Sequence, residues 1–432
     1  GLVVAGNSRL NLTGTAVTGA GNTLTIGTAG TLASAAGVVT GNVALAGTFV
    51  ADLGAPGTLA APNTTAELTV SGDLALGGVL TLTSSGANAG AGSYRVLTAA
   101  GATTGAFASV AVQGIDNAAL HQVVTTDAGV TRVDLFRLAA TAETIPATVA
   151  FGNVRRGLDL TSTLTFTNAA AADGFSEQLV GTATGQGSGF AAVAAGAPGV
   201  VTFTLDRSTV GAKVGASAVS LESVGVGGFA NTVLRAGTVA LSANVYDLAS
   251  ATLGATSLTL GNVRVAGTAG FDVTNTVVTD AAFQDSLDVV ATAANGKLTF
   301  ANPARLAAGA TGTVTLTAAT AGVLDASVAV GLTSNANGLA GLTNVGLAGQ
   351  SVAVTGAAFD LASATLAAAT LDLGNVRVGQ GSTLAVTNAV VTAAAFQDSL
   401  DVVAASANGK LTLAAPGNLL AAASGNVGVT AN

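Results

Sequence analysis

An all-β fold is predicted for this chain of 432 residues: an N-terminal β-helix-like or meandering β region, then tandem Ig-like β-sandwich modules, the last of them incomplete. Three observations predict it. Apolar and hydroxyl residues alternate with period two, as in Ser162-Thr163-Leu164-Thr165-Phe166-Thr167 and Thr311-Gly312-Thr313-Val314-Thr315-Leu316-Thr317, which is the pattern of half-buried strands. Long blocks of sequence recur in tandem from residue 136 onward. The composition is also light: charged residues are 8% and glycines number 58, where ordinary soluble domains carry roughly 25% charge. The surface is therefore built from Thr, Ser, Asn, Gly and Ala.

Residues 1–135 carry short apolar steps at Leu10/Leu12, Leu24/Ile26, Val43/Leu45, Leu68/Val70, Leu74/Leu76 and Leu80/Leu82, separated by Gly, Asn and Ser. Their spacing is irregular and never helical. Stacked β-helix rungs suit such steps, because each strand buries two alternate side chains before a turn, although a meandering sheet fits almost as well.

From residue 136 the repeats set the organisation. Tyr246-Asp247-Leu248-Ala249-Ser250-Ala251-Thr252-Leu253 returns as Phe359-Asp360-Leu361-Ala362-Ser363-Ala364-Thr365-Leu366, an offset of 113 positions (246 to 359). Gly261-Asn262-Val263-Arg264-Val265 and Phe283-Gln284-Asp285-Ser286-Leu287-Asp288 return at the same offset, as Gly374-Asn375-Val376-Arg377-Val378 and Phe396-Gln397-Asp398-Ser399-Leu400-Asp401. A diverged copy lies upstream, with Phe136-Arg137-Leu138-Ala139, Gly152-Asn153-Val154-Arg155 and Phe175-Ser176-Glu177. The modules are thus 136–245, 246–358 and 359–432, with almost no linker between them, and a stiff rod is expected. Asn168, Asn275 and Asn388, and the Asn295-Gly296 and Asn408-Gly409 pairs, read as turns, since Asn and Gly tolerate positive φ. Several alternating segments per module call for a two-sheet sandwich. In the third module the counterparts of residues 320–358 are missing, so open strand edges are expected there, ready to pair with another segment. The start at Gly1 without Met suggests a piece processed or excised from a longer chain.

The apolar-Gly-Asn-Val-Arg motif with its later Thr-Asn turn resembles the Ig-like choice-of-anchor D modules of bacterial surface proteins, relatives of the ASPM/SPD-2/Hydin domains. The likeness rests on Phe151-Gly152-Asn153-Val154-Arg155, Leu260-Gly261-Asn262-Val263-Arg264 and Leu373-Gly374-Asn375-Val376-Arg377 and covers residues 136–432. Upstream, Leu68-Thr69-Val70-Ser71-Gly72-Asp73-Leu74-Ala75-Leu76, Tyr94-Arg95-Val96-Leu97-Thr98 and Gly105-Ala106-Phe107 resemble the repeat near the end of autotransporter passenger β-helices. Neither family implies a catalytic residue. Both resemblances imply display outside a Gram-negative bacterial cell, as an adhesin, fibre or surface coat.

The residue inventory narrows the chemistry. Cys, Met and Trp are absent and His121 is the single histidine, which leaves no thiol chemistry, no disulfides and no imidazole cluster for a metal. A net charge of −8 disfavours phosphate-neutralising surfaces, so no nucleic-acid partner is expected. No apolar run is long enough to predict a transmembrane span. Tyr94 and Tyr246 are the only tyrosines, too few for an aromatic platform that stacks sugars or bases. The Gly-rich runs Gly185-Gln186-Gly187-Ser188-Gly189 and Gly225-Val226-Gly227-Gly228 lack the Lys-Ser/Thr and the strand–helix setting of phosphate loops, and read as turns.

Few residues are left as candidate sites. His121 alone assembles neither a metal site nor a triad. Asp285 with Asp288, and Asp398 with Asp401, are weak candidates for Ca²⁺, which takes six to eight oxygens; the first module offers only Glu177, with Val180 at the second position, so no cofactor is expected in every module. Arg155, Arg264 and Arg377 recur at one place per module, where each covers apolar surface with its stem or clamps a carboxylate between modules or subunits. The alternating segment Leu2 to Leu12, with Leu2, Val4, Leu10 and Leu12 on its apolar positions, is a candidate to supply strands to the unfinished third module. The expected function is a non-enzymatic extracellular structural protein that assembles with itself into a filament or surface layer. The alternative is an adhesin or autotransporter-type passenger whose tandem modules form a stalk, its partner a host or biofilm ligand.

Overall fold

A computed structural model of the chain describes residues 1–58, 63–86, 89–115 and 120–432. Among them there is no α-helix, only strands and the single-turn 3-10 segments Ala281–Phe283 and Ala394–Phe396. No helix is long and apolar enough to cross a membrane among the described residues. The chain divides into two compact units. One comprises Gly1–Phe151, Asp159–Asp206 and Val214–Ser242; the other comprises Gly152–Leu158, Arg207–Lys213 and Ala243–Asn432.

The first unit opens with a parallel β-helix, so the meander is set aside. Three sheets run along it, each gaining one strand per coil. Strands Leu2–Val4, Thr23–Ile26, Asn42–Leu45, Leu74–Leu76 and Thr103–Gly105 form the first sheet, and Arg9–Leu12, Thr31–Ser34, Thr48–Asp52, Val79–Thr83 and Ser109–Val112 the second. The third begins Thr15–Val17, Gly37–Thr40, Leu68–Val70 and Gly92–Ala99. All these neighbours pair in parallel, and the register stacks like on like: Leu2, Leu24, Val43 and Leu74 lie in one file, and Leu10, Leu32, Phe49, Leu80 and Val110 in another. Each apolar step read from the sequence is a rung's inward pair, since alternate side chains of a strand point to one face. The helix closes when the third sheet turns antiparallel through the hairpin Leu120–Asp127/Val130–Arg137. Its two-residue turn holds Ala128 at φ 49° and Gly129 at φ 78°, the pair of positive angles a tight hairpin turn of matching twist requires.

The same unit holds the core of the first sandwich, with Phe166, Leu179, Val201, Phe203, Leu221, Val239 and Leu241 all buried. In the second unit, the second module is a sandwich of a four-stranded and a six-stranded sheet, the latter including the short strands Gly322–Val323 beside Gln350–Phe359 and Val345–Gly346 beside Ala326–Asn335. One sheet orders Ala251–Leu253, Thr268–Asn275, Thr311–Ala318 and Leu298–Ala301; the other orders Ser257–Arg264, Gln350–Phe359, Ala326–Asn335 and Ser286–Ala293. Val314, Leu316, Leu324, Val328 and Val352 are fully buried between them.

The Gly-Asn-Val-Arg motif has a local cause. Strand Ser257–Arg264 runs parallel to Gln350–Phe359, and its register slips by one residue between Thr259 and Gly261. Gly261 sits at φ 65°, so the motif is a β-bulge that reverses which residues face inward. Before it Leu258 and Leu260 pack on the core; after it Val263 and Val265 do, and Arg264 is left pointing away. Gly152 and Gly374 hold the equivalent positive φ.

The third module repeats only the first of these sheets: Ala364–Leu366, Gly381–Asn388, Ser424–Ala431 and Leu411–Ala414. Its second sheet is reduced to Leu400–Asp401 paired with Asn418–Leu419. Its buried core is Val386, Leu419 and Val427.

Candidate functional site

Each module is entered through the same small knot of backbone and side chains, and the knot begins with aromatic residues. Phe136 packs on Phe175, Tyr246 on Phe283 and Phe359 on Phe396, with ring centroids 5.7, 5.5 and 5.7 Å apart. Beside each ring pair the junction strand makes one parallel bridge, Arg137 to Ser176, Asp247 to Gln284 and Asp360 to Gln397. The asparagines expected as turns do more than turn. Asn275 is fully buried; its Nδ2 donates to the carbonyls of Asp285 and Leu306, and its Oδ1 accepts from Ser250 N and Gln284 Nε2. Asn388 repeats all four bonds with Asp398, Leu419, Ser363 and Gln397, and Asn168 makes three of them with Glu177, Val193 and Ala140, its Oδ1 accepting the fourth from Ala170 N in place of a glutamine. A side chain with two donors and two acceptor sites is thus saturated where water is excluded.

Beside each knot a carboxylate faces a basic side chain from the preceding element. Glu177 Oε1 lies 2.5 Å from His121 Nδ1, on the hairpin that closes the β-helix, and the His121 ring stacks on Phe229 at 4.4 Å. Asp285 Oδ1 accepts from Arg155 Nη1 at 2.6 Å. Asp398 pairs with Arg264. The first two carboxylates are wholly buried (0% exposed side chains) and share a serine relay: Ala139 N donates to Ser223 Oγ, which donates to Glu177 Oε2, and Ala249 N donates to Ser334 Oγ, which donates to Asp285 Oδ2. Asp398 makes no such serine bond among the described residues and is 32% exposed. A second bridge, Arg156 Nε to Asp247 Oδ1 at 2.9 Å, braces the entry to the second module. At the next junction Val265 stands where Arg156 would be; the Oδ2 atoms of both Asp247 and Asp360 are buried without a hydrogen bond.

These positions revise several expectations. Asp285 and Asp398 face guanidinium groups, and Asp288 is held by Arg305 Nε and Nη2 at 2.8 and 3.2 Å. The Arg305 hydrogen bonds keep the Asp288 carboxyl below its ordinary range. Their oxygens are turned to cations and donors, not to a shared centre, and no cluster of three acidic or imidazole groups converges among the described residues. Asp401 is exposed, with Asn418 where the second module has Arg305. Of the N-terminal candidates, Leu2 is exposed, Leu10 half-buried, and Val4 and Leu12 buried in the first coil of the β-helix. Leu2 to Leu12 is thus not a free donor strand: its alternation serves the helix interior. Arg377 is exposed and makes no ion pair among the described residues.

Ser223, Ser334 and Arg156 escaped the sequence reading. Glu177 entered it only as the first module's counterpart of the calcium candidates, although an acid recurs after each aromatic junction pair.

No family model matches the chain, and no curated protein does. Among solved structures, it aligns with CfaE, the adhesive subunit of the CFA/I fimbria of enterotoxigenic Escherichia coli, at 11% identity over 39% of this chain and 66% of that one, TM-score 0.22. The D00-D0 domain of intimin aligns at 15% identity over 46% and 94%, TM-score 0.20. An I-band fragment of titin aligns at 9% identity over 66% and 86%, TM-score 0.24. The chain spans about two thirds of the CfaE subunit, and superpositions this loose carry no functional argument.

Proposed function

We propose that this chain is a non-enzymatic structural protein of the bacterial cell exterior that assembles through β-strand pairing into a filament or surface layer. One observation carries the reading: with only 8% charged residues, the strands alternate apolar side chains with Thr and Ser and leave a nearly uncharged surface. The charge-poor, hydroxyl-rich strands favour the same end, because little like-charge repulsion opposes close contact between copies. The resemblance of residues 136–432 to bacterial surface modules agrees with display on a Gram-negative cell.

Negative-stain electron microscopy of the purified chain tests this. Ordered polymers or sheets are expected, and a uniformly monomeric sample across concentration and salt rejects assembly. A stalk that presents an adhesive tip is the second reading, favoured by the repeated ion-paired clamp between successive modules. Monomers that adhere to host or biofilm material would select it.

A further inference from the structure

The first module leaves one long strand edge uncovered that the later modules cover in part. Its smaller sheet orders Leu160–Thr167, Pro198–Leu205 and Gly187–Ser188, so Leu160–Thr167 is an edge, paired antiparallel on one side only. In the second and third modules a short strand after the junction covers the end of the corresponding edge: Ala251–Leu253 pairs with Val273–Asn275, and Ala364–Leu366 with Val386–Asn388. In the first, Thr141-Ala142-Glu143 takes that place and forms no strand. Glu143 instead turns its carboxylate to the end of the edge, where Oε1 accepts from Thr167 N at 3.3 Å and Oε2 from Thr141 Oγ1 at 2.6 Å. The direction of the free groups follows. Asn168 N donates toward the neighbouring strand, to Ala197 O, whereas Thr167 N and Ala169 N donate to the opposite side, to Glu143 and to Ala140 O. Backbone groups alternate in this way along a strand, so the N–H and C=O of Thr161, Thr163 and Thr165 point out of the sheet, with no strand beside them among the described residues.

We propose that Leu160–Thr167 is the strand through which two copies of this chain join, antiparallel and edge to edge, about a two-fold axis at Thr163. This rests on the assembly reading above and names the strand it uses. A second copy is the occupant for two reasons. Exposed edges are ordinarily blunted by a lysine, a proline or a bulge, and Leu-Thr-Ser-Thr-Leu-Thr-Phe-Thr has none of these, its register against Pro198–Leu205 being unbroken. The strand also answers itself. With Thr163 opposite Thr163, Thr161 meets Thr165 on the exposed face and Leu160 meets Phe166 on the core face, so each face continues across the joint. Threonines opposite one another are favourable cross-strand neighbours. The outward backbone groups of Thr161, Thr163 and Thr165 then meet their counterparts in about six hydrogen bonds. The second module is the poorer choice, because the open half of its edge carries the exposed Asp272, a charge that disfavours such a contact. A two-fold contact closes on itself, so a filament or layer needs a further contact elsewhere.

The test uses the full chain, which has no cysteine. Thr163→Cys sets two thiols across the axis, within reach of a disulfide, whereas Thr204→Cys, exposed on the neighbouring strand opposite Thr161, keeps them two strands further apart. Mild oxidation is expected to link Thr163→Cys into dimers and to leave Thr204→Cys monomeric. It is run at roughly 0.3 M salt, which screens the Asp159 and Glu143 carboxylates that the register brings together at each end. Amide exchange at Thr161 and Thr165 is expected to be about tenfold or more slower in the parent chain than in Thr163→Lys at the same concentration, with the melting temperature unchanged because the Thr163 side chain is exposed. Equal linking of the two cysteine variants overturns the proposal, as does equal exchange in the parent and Thr163→Lys. Microscopy keeps it apart from the assembly reading: ordered polymers that Thr163→Lys still forms sink this edge and spare assembly, whereas linked dimers that never grow into polymers support the edge and reject the filament.

Discussion

A buried polar side chain is stable only when each of its atoms finds a partner, and Asn275 meets that condition with four bonds that tie three segments together. Asn275→Ala strands carbonyls and amides in a dry site and is expected to cost on the order of 3 kcal/mol, read as a lower denaturant midpoint for the second module. Arg155 presents the ionic version. Truncating it leaves the fully buried Asp285 carboxylate unpaired, so Arg155→Ala is expected to cost about 3 kcal/mol, and adding Asp285→Asn should return part of that loss. A loss in the double variant equal to the sum of the two single losses would show that the pair does not couple. Glu67 sets a pH dependence in the β-helix. Burial pushes its carboxyl up to about 7, with Asp52 adding repulsion against a lowering bond to the Ala36 backbone. The folded chain therefore holds this proton more tightly than the unfolded chain does. Its stabilising contribution is present below the ordinary value of 4.5 and is lost as pH rises toward about 7. Glu67→Gln should flatten that fall in urea titrations run at pH 5 and pH 8.

At the scale of the element, a strand here is a property of its neighbours as much as of its residues. The eleven residues 281–291 and 394–404 are identical, yet strand Ser286–Ala293 is bonded along its length while its copy is paired only at Leu400–Asp401. Hydrogen exchange should therefore be about tenfold or more faster at 402–406 than at 289–293. Similar rates would mean that the second stretch is paired in solution. Bulges behave differently, because Gly152, Gly261 and Gly374 keep positive φ whether or not a strand lies alongside. Glycine's freedom at that angle is local.

For the whole molecule, stability follows how much core each part closes. The second module buries Phe271, Leu287, Val289, Val314, Leu316, Val328, Val330, Val352 and Val354 among others, whereas the third buries Val386, Leu419 and Val427. Since apolar burial is the main favourable contribution to folding, residues 359–432 are expected to unfold first, in a transition separate from the rest. Calorimetry or a urea series followed by limited proteolysis would check this; one cooperative transition for the full chain would count against it.

The sequence by itself determined the all-β class and the alternate inward positions, because period-two alternation is a local and additive signal. It left open the choice between β-helix and meander, since an apolar step such as Leu24/Ile26 has the same spacing in either and only parallel stacking on Leu2/Val4 and Val43/Leu45 separates them. The tertiary structure also decided the partners of the charged residues. Asp285 looks like a surface oxygen ligand until Arg155, 130 positions earlier, is folded against it. Pairing of that kind depends on distances through space, which residue spacing along one chain does not encode.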